Sequence, residues 1–233
     1  MALPLLFCFI LVGTAITLLV SANSFLSALP LAFHESTFIN SILRYQLFAL
    51  VLALAASGIT IIFRPESKDL LRFGDVSKSA EQEVWLGING TTSWKRNAAQ
   101  LLVVISLATG IFMALAVWQS GATHHFQWWF LPWILLFSCT NAFSEELIFR
   151  FVVNGSLSTI VPKIAVLLIS AVLFGLPHYN GFPNGVIGVI MAGVLGYVLS
   201  KATYETGGLG IALVIHIVQD CIIFTAMFMM KAR

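Results

Sequence analysis

Long apolar runs alternate with short polar clusters along the whole chain, and most of the runs approach the roughly 20 residues that a helix needs to cross a bilayer. Runs at 3–22, 45–63, 98–118, 163–178, 186–200 and 209–230 predict six helices, and a further run leads from the tryptophans at 128, 129 and 133 to Asn154. Arg64 and Pro65 stop the second run, and Asn154-Gly155 stops the fourth. Pro177 interrupts the fifth near its end, because it cannot donate to the carbonyl of Leu173. Gly188, Ala192 and Gly196 form a small-residue stripe on the sixth, which lets a neighbouring backbone approach closely; that neighbour is expected to carry the functional site. The pattern predicts an all-α, polytopic transmembrane helix bundle of about seven spans, with a missed re-entrant segment or an eighth span as the alternatives, forming one domain over 1–233 without internal repeats.

Composition sharpens this picture. At 59% hydrophobic and 9% charged residues, the chain is far from soluble globular domains, which are about 25% charged. The formal net charge of +2 is small and the basic residues sit in loops, so the expected partner is the lipid bilayer and not nucleic acid. Residues 64–97 carry Arg64, Lys68, Arg72, Lys78, Lys95 and Arg96, interspersed with Leu70, Phe73, Trp85 and Leu86. This is expected to be a cytoplasmic, basic, amphipathic loop lying on the headgroups. Seven spans then place the C-terminus outside, against the sense of Lys231 and Arg233, and an eighth would remove the conflict. Cys8, Cys139 and Cys221 lie in apolar segments without Cys-x-x-Cys spacing and are read as packing residues.

Against this background, polar intrusions stand out as candidate chemistry, since an Asp or Arg at the centre of a span costs roughly 2.5–3.5 kcal/mol on insertion scales. The first is Ser144-Glu145-Glu146-Leu147-Ile148-Phe149-Arg150. Residues four apart share a helix face, so Glu146 and Arg150 are placed to pair, while Glu145, about 100° away, is left as a free acid or base. The second is Phe174-Gly175-Leu176-Pro177-His178, and the third His216-Ile217-Val218-Gln219-Asp220. Both repeat the spacing of four, with Phe174 placed to wall one side of a dry cavity. Two His, two Glu, an Asp and an Arg on three apolar helices imply a shared intramembrane polar cavity. Such a cavity suits hydrolysis: a carboxylate beside an imidazole takes a proton from water, and a second imidazole with another polar group stabilises an oxyanion or completes a His/His/carboxylate metal site. Ser144 lacks a nucleophile elbow, and His-Glu-x-x-His is absent. His124-His125 is a further candidate for a metal ion, weighed against a solvated pair.

Glu145-Glu146-x-x-x-Arg150, Phe174-x-x-x-His178 and His216-x-x-x-Asp220, in this order over roughly 97–225, resemble the CAAX prenyl protease and bacteriocin-processing (CPBP, or Abi) family of intramembrane proteases. The resemblance implies a protease core over 98–230 and an endopeptidase of the bacterial inner membrane acting on a membrane-associated peptide or protein tail. It further implies that Glu145 with His178 activates water, that His216 and Asp220 hold the oxyanion or a metal, and that Glu146, Arg150 and Phe174 brace the site. A zinc ion on His178, His216 and Asp220 is the alternative to a metal-free centre. Prenyl-protein proteases of the family resemble His-x-x-x-Asn at the last motif, whereas ionised Asp220 cannot donate a hydrogen bond. The rival functions are a proton-coupled transporter, which favours inverted repeats not found here, a haem protein with His178 and His216 as axial ligands, and a non-catalytic immunity or interaction protein.

Overall fold

A computed structural model describes residues 2–121 and 126–231. His124 and His125 therefore lie outside the described residues. Helix α1 spans Ala2–Leu26, α2 Thr37–Phe63, α3 Trp94–Gln119 and α4 Phe130–Glu146. A π-helical turn, Leu147–Val152, carries α4 without a break into the short α5, Val153–Leu157. Then follow α6 at Lys163–Gly175, α7 at Gly185–Thr206 and α8 at Gly210–Lys231. Among the described residues, six helical segments are long and apolar enough to cross a membrane: Leu5–Ala22, Thr37–Phe63, Trp94–Gln119, Lys163–Asn180, Gly185–Thr206 and Gly210–Lys231. The protein is a multi-pass helical membrane protein. The predicted fourth run is present as the continuous helical segment 130–157, which bears Glu145, Glu146 and Arg150 and contains the π turn.

Local sequence sets the helix ends. Ser36 caps α2 in an extended conformation and accepts from the amide of Ile39, as a short hydroxyl at an N-cap does. Arg64 ends α2 ahead of Pro65, and Gly207, at φ 71°, closes α7 in the left-handed region open to glycine. Pro177 acts as the pattern predicts: α6 stops at Gly175 and the chain tightens into a 3-10 turn, Leu176–Asn180, that carries His178.

The bundle is held by three apolar clusters. Val12, Ala15 and Leu19 of α1 and the alanines 49, 53 and 56 of α2 pack with the π turn and α6. Trp94, Leu101, Val198 and Ile215 join α3, α7 and α8 beneath the polar loop. Phe130, Phe137, Phe224 and Phe228 fasten α4 to α8, with the rings of Phe130 and Phe228 5.1 Å apart.

The small-residue stripe of α7 does face a site helix. A Cβ on Gly196 would lie 3.1 Å from the ring of Phe174, and one on Gly188 2.8 Å from the carbonyl of His178 and 2.1 Å from that of Pro183. Gly188→Ala therefore cannot be accommodated without moving the turn that holds His178. Thermal unfolding should show a loss of about 1–3 kcal/mol, as overpacking of a tight contact does.

Residues 64–97 are not a free arm. Leu209 donates to the carbonyls of Leu70 and Arg72, Gly210 to that of Phe73, and Asp75 to that of Thr206. The loop thus satisfies backbone groups where α7 turns into α8 and forms a plate across that end of the bundle.

Candidate active site

The three motif segments meet on the imidazole of His216, which α8 places opposite the end of α4. Nδ1 of His216 donates to Oε1 of Glu146 at 2.7 Å. On the other side of the ring, Nε2 lies 3.4 Å from Oε2 of Glu145 and 3.7 Å from Oδ1 of Asp220. Consecutive residues on a helix point about 100° apart, so Glu145 and Glu146 straddle the histidine and take opposite nitrogens. The four-residue step on α8 brings Asp220 to the same nitrogen as Glu145.

Glu146 and Arg150 pair as their spacing predicts. Nε of Arg150 is 3.2 Å from Oε2 of Glu146, and both side chains are fully buried. Glu146 therefore has one oxygen on Arg150 and the other on His216, and joins the bracing pair directly to the imidazole. Phe174 is the remaining support. Its ring lies under the guanidinium of Arg150, 4.0 Å from Cζ, and its centroid is 5.6 Å from that of His216 and 4.8 Å from that of His178. A planar cation on an aromatic face in a water-poor setting is an attractive arrangement. The Nη atoms of Arg150 have no hydrogen-bond partner among the described residues, which leaves that face as their contact.

His178 is placed differently from the other three. Its Nδ1 is bonded to the carbonyl of Phe174 at 2.8 Å. A carbonyl only accepts, so Nδ1 carries the proton and Nε2 of the neutral ring is left as an acceptor. His178 reaches the others across a cavity of about 400 Å³, whose wall includes His178, His216, Asp220 and Phe174. The space lies between α3 and α7 and is otherwise mostly apolar. Val104, Ile190 and Val194 line it while remaining 62%, 60% and 43% exposed, so it opens sideways between the two helices, toward the lipid.

The alternative zinc set of His178, His216 and Asp220 does not fit this arrangement. Among the described residues no group of three or more His, Cys, Asp and Glu could hold a metal ion.

Some polar residues of the site escaped sequence reasoning. Asn141 donates from Nδ2 to Oδ2 of Asp220 at 3.1 Å. It sits one turn before Glu145 on the same face, and the four-residue spacing that singled out the other pairs was the signal available for it. Gln219 donates to the hydroxyl of Ser106 at 2.9 Å and ties α8 to α3, a contact between distant segments that no local pattern marks.

Fold and site together define a polytopic helical membrane protein with a carboxylate–imidazole centre on the wall of a lipid-facing cavity. Residues 127–222, which contain every site residue of the three motifs, match the family model described as type II CAAX prenyl endopeptidase Rce1-like. Over this segment the chain is similar to a family of proteases. No curated protein and no solved structure matches the chain.

Proposed function

We propose that the protein is an intramembrane endopeptidase that hydrolyses a peptide bond in a membrane-associated tail, with water activated by Glu145. The observation that carries this reading is the convergence of Glu145, Glu146 and Asp220 on His216 beside an apolar cavity open to the bilayer. Of the three carboxylates Glu145 has the most exposed side chain, at 19%, and it adjoins the cavity through His216, which lines the wall together with Asp220. It takes a proton from water as the oxygen attacks the scissile carbonyl carbon. It returns that proton to the leaving nitrogen when the C–N bond breaks, so that one carboxylate serves as base and then as acid.

His216 is fixed by Glu146 through Nδ1, which sets the ring so that Nε2 faces Glu145. His178 sits on the cavity wall with Nε2 available; when protonated it donates to the oxyanion of the tetrahedral intermediate. This assigns the partner of Glu145 to His216 and moves His178 from water activation to the oxyanion. Asp220, held by Asn141, keeps the second side of His216.

The words CAAX prenyl endopeptidase in the family description support a proposed substrate class for this chain, a prenylated cysteine followed by two aliphatic residues and a variable C-terminal residue. An apolar chain of that kind suits a cavity that opens to lipid, and a volume of about 400 Å³ falls within the roughly 300–1,000 Å³ of ligand sites. The polar plate 64–97 is read as cytoplasmic from its basic residues, which places entry beneath it.

The test is release of the C-terminal tripeptide from a farnesylated peptide by the full chain in proteoliposomes, followed by mass spectrometry. Cleavage is expected from the parent, and none would sink this substrate class. The same assay tests the metal-free reading. A strong chelator should leave the rate within about twofold, because a site without a resident ion has nothing to lose. Stoichiometric zinc in active protein that is absent from His216→Ala would overturn it.

A further inference from the structure

A second buried polar cluster lies where the plate meets α7, and the hydrolytic site makes no use of it. Lys201 is 1% exposed, with its ammonium 2.6 Å from Glu205 and 3.7 Å from Glu83. Glu205 also receives Lys163 at 2.5 Å and the indole N–H of Trp94 at 2.8 Å. Tyr197 donates its hydroxyl to Glu83 at 2.9 Å. Burying a lysine carries a desolvation cost that its partners must offset, so a cluster this complete on a loop implies that the position of the loop matters.

What the cluster positions is the turn Val84–Leu86, which follows Glu83 directly and is pinched by the antiparallel bridge between Glu83 and Ile88. Val84 is 77% and Trp85 56% exposed, as Phe73 is at 58% on the same plate, but Trp85 is also brought against the cavity. The ring of Trp85 lies 5.3 Å from that of Tyr197, and Trp85 and Leu86 line the same cavity as His216 and Asp220.

We infer that Trp85, presented by the Glu83–Tyr197–Lys201 anchor, contacts the isoprenyl chain of the substrate and sets which chain lengths the cavity accepts. The inference rests on the reading of that cavity as the substrate site. An indole supplies a broad apolar face and tolerates the water at the rim, which suits a residue that closes an apolar slot at its plate side. Tyr197 backs the ring and, through Glu83, fixes the height of the turn.

The experiment measures binding apart from cleavage. The full-length Glu145→Gln chain in nanodiscs is titrated with N-acetyl-S-farnesylcysteine and with its shorter S-geranyl analogue, neither of which has a peptide bond C-terminal to the cysteine. The parent background should prefer the farnesyl compound. Adding Trp85→Ala should weaken farnesyl binding at least tenfold and erase the preference, while Trp85→Phe should stay within about threefold of the parent background. Tyr197→Phe, which keeps the ring and removes the bond to Glu83, should weaken binding in the same sense but less. Thermal unfolding of Trp85→Ala should match the background, since the side chain is more than half exposed. Unchanged farnesyl binding in Trp85→Ala, or no binding in the background, would overturn the inference. Binding through Trp85 in a chain that cleaves no farnesylated peptide would leave it standing and remove the hydrolytic reading instead.

Discussion

Glu145→Gln should lower peptide hydrolysis by roughly 10²–10⁴-fold, the range typical of a lost general base, while the unfolding transition in detergent stays nearly where it was. Glutamine fills the same volume and can still face His216, but it cannot accept a proton from water. The contact being changed is loose, 3.4 Å from Nε2, and the side chain is partly open. Glu146→Gln is the contrasting case. It alters a fully buried carboxylate held by both Arg150 and His216, so both activity and stability should fall. Rates measured at saturating peptide, beside melting curves for the two variants, separate the roles. Ordinary turnover in Glu145→Gln would rule it out as the base.

The second large effect is expected at Arg150. Arg150→Ala strands a buried Glu146 and uncovers the ring of Phe174, and breaking a buried pair from one side typically costs about 3–5 kcal/mol. The variant should melt well below the parent or fail to accumulate in the membrane. Arg150→Lys should recover little, because an ammonium cannot lie flat on Phe174 while its edge meets the carboxylate. Chemical denaturation in a mild detergent gives the comparison, and a parent-like midpoint for Arg150→Ala would remove its bracing role.

The helices were legible from the apolar runs because lipid imposes length and composition on every span. The i, i+4 spacing likewise led to the Glu146–Arg150 pair and to the shared face of His216 and Asp220, since both are set within a single helix. Contacts between helices were harder. Nothing local to Glu145 states that its nearest imidazole is His216, seventy-one positions on, and the approach depends on how α8 is rotated against α4. The plate 64–97 reads as a surface loop by composition, yet Trp94 is fully buried and Glu83, Glu81 and Trp94 bond to α6 and α7. Its order comes from partners far along the chain, which a window of neighbouring residues does not reveal. The π turn has no compositional mark at all, because Leu147–Val152 would suit an α-helix equally well.

That turn makes the segment 130–157 a helix with two independent angular settings. A π turn widens the hydrogen-bond step to five residues, so it adds a residue without ending the helix. Before it, Asn141, Glu145 and Glu146 are phased to meet α8. After it, Asn154 meets the hydroxyl of Ser200 on α7, and Gly155 lies so close to Ser67 that a Cβ would stand 2.8 Å from its side chain. The carbonyl of Phe149, inside the turn, accepts from Ser170 on α6. Deleting one residue within 147–152 would let the helix regain the ordinary repeat and swing everything beyond it by about 100°. The carboxylates would keep their aim while Asn154 and Gly155 lost theirs. The extra residue works as a phase shifter, letting one rod serve neighbours whose bearings do not fit a single 3.6-residue screw.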